Sequence, residues 1–242
     1  KMKKEKVLII GGSGFIGHNL AIQLCKNYDV SVVDSFDVNN IKSFRSKISN
    51  NQNSFYIKIL KERIKLLKDN NVKIYNQDAR NYKKISRLVD KINPNYFFHL
   101  AAVAHANVSN KNPFSTFDNS VRTLENSLDA SRSLKKLKRF FYLSSSMLYG
   151  QFKKSSVNEK TICEPLGIYG ALKFAGEKMV IGYKQVFKTP YTIIRPSALY
   201  GERCVSRRVI QIFVESALKG EPILVNGNGK EKLDFTYIDD LI

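Results

Sequence analysis

The sequence predicts an α/β protein: a doubly wound parallel sheet followed by a smaller C-terminal lobe. Three observations carry that expectation. Short apolar runs alternate with longer amphipathic stretches over the first two thirds of the 242 residues, the order expected of a sheet covered by helices on both faces. Those runs are nearly continuous rather than alternating, as strands buried on both sides require. A glycine-rich turn directly follows the first run and opens an amphipathic stretch.

The first strand is expected at 7–10, and Phe15, Ile16, Leu20 and Leu24 then fall on one helical face. Further strands are expected at 30–34, 72–75, 96–100, 140–144 and 191–195. Residues 35–71 are long for one connection. The Asn- and Ser-rich first half predicts an exposed insertion, and 56–67 has the apolar spacing of a helix. After Gly201 the alternation fades, and the remainder reads as the start of a substrate-capping lobe. The expected division is 1–195 for a dinucleotide-binding, catalytic unit and 196–242 for an incomplete substrate lobe, with a return to the first unit near 234–242.

Composition narrows the classes. Hydrophobic residues make up 43% of the chain, enough to bury a sizeable core. No apolar run approaches the roughly 18 residues that span a bilayer. The N-terminal lysines lead straight into the glycine turn rather than into an apolar signal core, so no membrane association and a cytoplasmic location are expected. Cys25, Cys163 and Cys204 are widely separated, which suggests neither a disulfide framework nor a zinc cluster. His18, His99 and His105 do not form a metal set; His99 closes a strand, and the other two read as helix-surface or loop residues. The net charge of +19 comes from lysine spread over every region. A nucleic-acid surface calls for a concentrated basic stripe, and the densest run, 135–139, reads as a solvated turn, so no nucleic-acid partner is expected.

Gly12-x-Gly14-x-x-Gly17, preceded by Gly11, sits between strand and helix. Glycine there permits the tight turn and lets the backbone approach a pyrophosphate, while the helix N-terminus offers free N–H groups to its oxygens. Gly11, Gly14, Phe15, Ile16 and Gly17 are therefore candidate dinucleotide contacts in a Rossmann-type unit. Asp34 ends the second strand at the spacing of an acid that binds the adenosine ribose. A carboxylate there repels a 2′-phosphate and favours NAD over NADP. Asp78, with Ala79 beside it, ends the third strand and is read either as an acceptor for the adenine amino group or as a helix cap.

Tyr169 and Lys173 lie four apart, on one face of a predicted helix. A free phenol with a pKa of about 10 is a poor base at neutral pH. A neighbouring ammonium and a cationic nicotinamide both favour the phenolate. Ser144-Ser145-Ser146 closes the strand at 140–144, at the sheet edge where open α/β folds bind ligands.

The glycine turn, His99-Leu100-Ala101-Ala102, the serine cluster leading to Tyr149-Gly150, and Tyr169-x-x-x-Lys173 occur in that order. Arg195-Pro196, Tyr200-Gly201 and Asp234-Phe235-Thr236-Tyr237-Ile238-Asp239 follow. Together they resemble the extended short-chain dehydrogenase/reductase family, in its nucleotide-sugar epimerase and dehydratase branch, over essentially the whole chain. The segment 60–67 followed by Asp78 is most similar to the UDP-glucuronate 4-epimerases.

The resemblance implies NAD as cofactor, a nucleotide-sugar substrate and a homodimer paired through helices around 114–133 and 169–187. It selects Ser145 as the catalytic hydroxyl, Tyr169 as the base and Lys173 as its partner. It places Leu100, Ala101, Ala102 and Asn119 beside the cofactor. The 4,6-dehydratases carry an Asp-Glu pair just after the catalytic hydroxyl; here those positions are Ser146 and Met147, which favours epimerisation through a 4-keto sugar in the making of surface-glycan precursors. Two departures concern the substrate. Ala198 stands where the family often has asparagine, and Leu233 where it has an arginine for the substrate pyrophosphate. Leucine cannot make that bidentate contact; Arg203, Arg207, Arg208, Lys230 and Lys232 are the residues that could replace it, and Ser146, Arg203 and Arg208 are the candidate substrate-binding residues. The chain ends at Ile242, short of the usual family length, so a truncated lobe is expected.

Overall fold

The computed structural model of the chain describes residues 4–45, 51–152 and 156–242; part of the expected insertion, 46–50, lies outside them. Six strands form one parallel sheet: β1 (Lys6–Ile10), β2 (Asp29–Asp34), β3 (Lys73–Asn76), β4 (Tyr96–His99), β5 (Arg139–Leu143) and β6 (Tyr191–Ile194). Their order is β3-β2-β1-β4-β5-β6, and every neighbouring pair is parallel. The expected doubly wound sheet is thus present, with each strand within about a residue of its expected bounds.

The core follows from the two-residue period of a strand. Leu8 and Ile10 of β1 enter one cluster with Val33, Phe97, Phe140 and Tyr142. Val7 and Ile9 point the other way, into a cluster with Val30, Val32, Leu20, Ala21 and Leu67. β1 is therefore apolar on both faces because helices cover both. On the first face lie α4 (Tyr82–Ile92) and α7 (Thr123–Ser131). Ile85, Leu88, Val89 and Ile92 of α4 repeat at helical spacing and are all buried. Asn81 caps α4 by accepting from the Lys84 N–H at 3.1 Å, and Asn93 ends it in the left-handed region at φ +50°. The second face is covered by α1 (Phe15–Leu24) and α3 (Asn51–Asp69). The helix expected at 56–67 is part of α3, preceded by the short α2 (Ile41–Arg45).

The sheet reverses its winding between β1 and β4, and the turns after these strands meet there. This is the crevice in which open α/β sheets bind ligands. Next come α5 (Ala106–Lys111), α6 (Pro113–Phe117) and a π-helical turn at Asp118–Arg122 that runs into α7. The long α8 (Gly167–Phe187) precedes β6. Beyond β6, β7 (Ala198–Tyr200) pairs in parallel with β8 (Phe235–Tyr237) in a separate two-stranded sheet. Between them lies α9 (Val209–Lys219), and α10 (Ile238–Leu241) follows β8. Ile242 packs against the cluster containing Leu20 and Ala21. Among the described residues no helix is long and apolar enough to cross a membrane.

Candidate dinucleotide and catalytic site

The glycine turn is a cradle that side chains would fill. A Cβ on Gly12 would lie 2.4 Å from Cβ of Val32, and one on Gly17 would lie 2.5 Å from the Gly11 oxygen. Gly11 has φ +80° and packs against the Ala101 nitrogen, where a Cβ would come within 2.8 Å. Gly14 differs: a Cβ there would meet only the Gly11 oxygen, at 3.1 Å. It is the N-cap of α1 and carries no side-chain cap of its own. The first N–H groups of α1 thus have no side-chain cap and lie beside glycine backbone, an arrangement that suits a pyrophosphate. Phe15 and Ile16 form the first positions of α1, and Leu100 and Ala101 leave β4 against the turn, with Ala102 next in the chain.

Asp34 stands at the end of β2 and accepts from two backbone N–H groups, Ser13 at 3.1 Å and Phe36 at 2.8 Å. Burial raises its pKa, while these hydrogen bonds and the nearby Arg63 charge favour the carboxylate. Each oxygen keeps a lone pair, so the carboxylate can still accept from ribose hydroxyls. Asn40, which the sequence reading missed, is buried and donates to the Ser13 hydroxyl at 2.9 Å.

Asp78 is not the cap of α4, since Asn81 fills that role. Its carboxylate takes Arg80 Nε on both oxygens at 3.0 Å and Arg80 Nη2 at 2.7 Å. Arg80 also reaches Asp118 at 3.3 Å, joining the β3 turn to the π-helical turn. The Arg80 hydrogen bond, above all, lowers the Asp78 pKa. Ala79 is buried, and its carbonyl and that of Arg80 accept from Asn126 Nδ2 at 2.8 and 2.9 Å. Asn119 sits within the π-helical turn and donates to the Ser115 carbonyl at 2.8 Å.

β5 and α8 bring the catalytic candidates together. Ser145, just past β5, caps the short 3-10 turn Ser146–Tyr149 by accepting from the Met147 N–H at 3.2 Å. Tyr169 and Lys173 lie one turn apart near the start of α8, and all three side chains are buried. Ser145 stands near enough to Tyr169 to favour its phenolate. Lys173, the expected partner of the phenol, is held by the backbone in the cofactor-free protein. Its ammonium donates to the Leu143 carbonyl at 2.6 Å and lies 5.2 Å above the Tyr142 ring. Desolvation pushes Lys173 down to about 8, against the Glu177 carboxylate, which favours the ammonium. Burial likewise raises Tyr169, and the groups that oppose it are the Ser145 hydroxyl and the Arg208 charge. In the cofactor-free protein the phenol is thus held protonated.

Glu177, one turn beyond Lys173, is only 2% exposed and forms a two-point pair with Arg195, at 2.9 and 2.7 Å. Arg195 also donates to the Tyr149 hydroxyl at 2.9 Å. The spacing from Lys173 was the available signal for Glu177. Of the substrate candidates, Ser146 spends its N–H on the Pro196 carbonyl at 3.0 Å. Arg208 donates to the Ala104 carbonyl at 2.7 Å. Arg203 is turned to α1, where its Nε meets His18 Nε2 at 3.1 Å and its Nη2 meets Asn19 at 3.4 Å.

Two histidine expectations also change. His18 is fully buried rather than on a helix surface, and burial, with Arg63 and Arg203 nearby, pushes it down to about 3. His105 is the N-cap residue of α5, at the edge of a loop as expected. His99 is buried at the end of β4 with Nδ1 3.0 Å from the Ser127 hydroxyl. Of the 135–139 run, Arg139 belongs to β5 while the rest precedes it.

Comparison with known proteins agrees with this geometry. Residues 7–242 match the NAD dependent epimerase/dehydratase family. A dTDP-D-glucose 4,6-dehydratase of Dictyostelium discoideum is 29% identical over 98% of this chain, which spans 54% of that protein. A Bacillus subtilis protein named as an uncharacterised UDP-glucose epimerase is 30% identical over 98% of the chain and 70% of its own length. The solved UDP-glucuronic acid 4-epimerase of Bacillus cereus, in complex with UDP-glucuronic acid and NAD, superposes with a TM-score of 0.79 at 28% identity. That match covers 98% of this chain and 70% of the other. Because the family match runs from β1 to the last residue and spans both sheets, the chain belongs to the NAD dependent epimerase/dehydratase family, and its cofactor is NAD.

Proposed function

We propose that the protein epimerises a nucleotide-activated sugar at C4 through a 4-keto intermediate, in the supply of precursors for surface glycans. The observation that carries this reading is the buried Ser145, Tyr169 and Lys173 set, with Ser146 and Met147 rather than an acid–base pair directly after Ser145. Tyr169 takes the proton from the sugar hydroxyl, and Ser145 holds that oxygen in line with the phenol. NAD, when bound, accepts and returns a hydride, and its oxidised ring favours the phenolate that burial otherwise disfavours. Lys173 is anchored on the Leu143 carbonyl, from where it orients the cofactor ribose and holds positive charge under the site. Tyr169 returns its proton once the keto sugar has turned its other face.

Elimination of water across the neighbouring carbons needs a second acid and base at the sugar. The residues after Ser145 are Ser146 and Met147, and Met147 is 40% exposed on a 3-10 turn. Neither side chain can fill that role, which disfavours the dehydratase activity named for the Dictyostelium relative.

The test is incubation with UDP-, GDP- and dTDP-sugars and product identification by NMR. One sugar should return as its C4 epimer with no net change in NADH absorbance. Tyr169→Phe should lower kcat at least about 10³-fold and leave NAD affinity within a few-fold. A 4-keto-6-deoxy product, or stoichiometric NADH, would sink the reading.

A further inference from the structure

We propose that His99 and Ser144 hold an internal water that supports the Lys173 ammonium from the sheet side, which makes His99 a positioning residue for the lysine. Both stand on the sheet face that α8 covers. His99 follows Phe97 by one two-residue period of β4, and Phe97 shares its cluster with Phe140 and Tyr142 of β5 and Val180 of α8. Ser144 carries the period of Tyr142 one step past β5, where its N–H still donates to the Ile194 carbonyl at 2.8 Å. Both side chains are buried, yet His99 Nε2 and Ser144 Oγ have no hydrogen-bond partner among the described residues. Leaving such atoms unpaired in an interior is costly.

The state of His99 follows from its other nitrogen. The Ser127 hydroxyl donates its one proton to the Thr123 carbonyl at 2.8 Å. Toward His99 it therefore only accepts, and Nδ1, 3.0 Å away, carries the imidazole proton. Burial, then the Lys173 charge, pushes His99 down to about 3, against the Ala101 backbone. The ring is neutral, and Nε2 presents a bare lone pair. The chain of donation through Ser127 to α7 polarises the imidazole and makes that lone pair a better acceptor.

The donor that matches this lone pair is Lys173. The two residues meet at one ring: His99 stacks with Tyr142 at 6.3 Å between centroids, and the ammonium lies 5.2 Å from the Tyr142 centroid. The Tyr142 hydroxyl in turn donates to the Lys173 carbonyl at 3.4 Å. An ammonium has three donors. Lys173 uses one on the Leu143 carbonyl, and the proposed mechanism gives a second to the cofactor ribose. Neither His99 nor Ser144 bonds the third directly. One water does so for both, accepting from Lys173, donating to His99 Nε2 and sharing a hydrogen bond with Ser144 Oγ. Three polar partners of this kind are what buried waters typically have. The inference rests on the proposed role of Lys173, but it concerns the cofactor-free protein and is tested without a sugar.

The experiment titrates Lys173 in the cofactor-free protein by NMR of isotope-labelled lysine side chains, with its signal assigned from Lys173→Met. The titratable groups around the ammonium are Glu177 and Tyr169 on α8, Tyr142 on β5 and His99 on β4. Burial raises both tyrosines and keeps His99 neutral, so Lys173 is the group that titrates near pH 8. His99→Phe keeps a ring beside Tyr142 and removes the acceptor, while His99→Gln returns a polar atom close to the place of Nε2. The Lys173 midpoint should fall by at least about one pH unit in His99→Phe, the size of one lost hydrogen bond to a charge. It should fall by at least about half a unit in Ser144→Ala and return to within about half a unit of the parent in His99→Gln. Ser144→Ala decides the matter alone if His99→Phe does not fold. An unmoved midpoint in Ser144→Ala or in folded His99→Phe, with or without a lower melting temperature, would overturn the water and leave both residues as packing only. Failure of epimerisation with a moved midpoint would count against the proposed reaction and leave this support of Lys173 standing.

Discussion

At the scale of single residues, the four glycines of the turn are not equivalent. Gly12 has Val32 Cβ at 2.4 Å from any Cβ it could carry, whereas Gly14 has only one backbone oxygen near, at 3.1 Å. Gly12→Ala forces the helix away from the sheet, an overpacking that costs about 1–3 kcal/mol, and should lower the cofactor-free denaturation midpoint. Gly14→Ala should leave that midpoint within about 0.5 kcal/mol of the parent's and weaken NAD binding at least about tenfold, because its methyl group stands where the phosphates approach. Urea titration and NAD titration of both variants separate the two effects. Equal loss of stability in the two would mean that the whole turn serves packing alone.

At the scale of elements, α8 carries the proposed catalytic residues on the face that would ordinarily bury apolar side chains. Tyr169, Lys173 and Glu177 occupy successive turns of one buried stripe. Replacing Glu177 with glutamine leaves Arg195, with a side chain 20% exposed, without its carboxylate. Breaking such a pair costs about 3 kcal/mol, readable by denaturation. It also removes the charge that holds Lys173 up, so the alkaline limb of the kcat profile should move to lower pH. A stability loss with an unmoved limb would show that Glu177 has no part in setting the lysine. Much of this was legible in advance: the Tyr-Lys spacing, the strand-end serine and the glycine turn are local patterns with a local physical reason. Arg63, His18 and Asn40 were not legible, because nothing in a lysine-rich sequence marks which cation or imidazole tertiary packing will enclose. Nor was the direction of Lys173, which turns on the single carbonyl of Leu143 that it meets.

At the scale of the whole molecule, the six strands and their parallel, doubly wound arrangement were readable because their apolar runs are nearly continuous and helical patterns lie between them. The β7–β8 pair was not, since strands of three residues leave too little pattern for pairing to show. The fold as a whole also bears the cost of its site, through Lys173. A lysine whose pKa falls from about 10.4 in the unfolded chain to about 8 when folded destabilises the protein wherever it must stay charged. Below pH 8 both states hold the proton and the full penalty is present. Between pH 8 and 10.4 only the unfolded chain holds it, so the lysine's contribution to stability rises with pH, by about 3 kcal/mol in total. Lys173→Met removes this titration together with the hydrogen bond to Leu143, and the loss of that bond is nearly independent of pH. The stability of the parent minus that of the variant should therefore climb by about 3 kcal/mol from pH 7 to pH 10.5, whatever its sign at pH 7. Urea denaturation of the two cofactor-free proteins across that range measures the difference directly, and the titrations of the other lysines cancel in it. A flat difference would mean that Lys173 keeps an ordinary lysine pKa inside the fold, and that the ammonium under the site is not strained by burial at all.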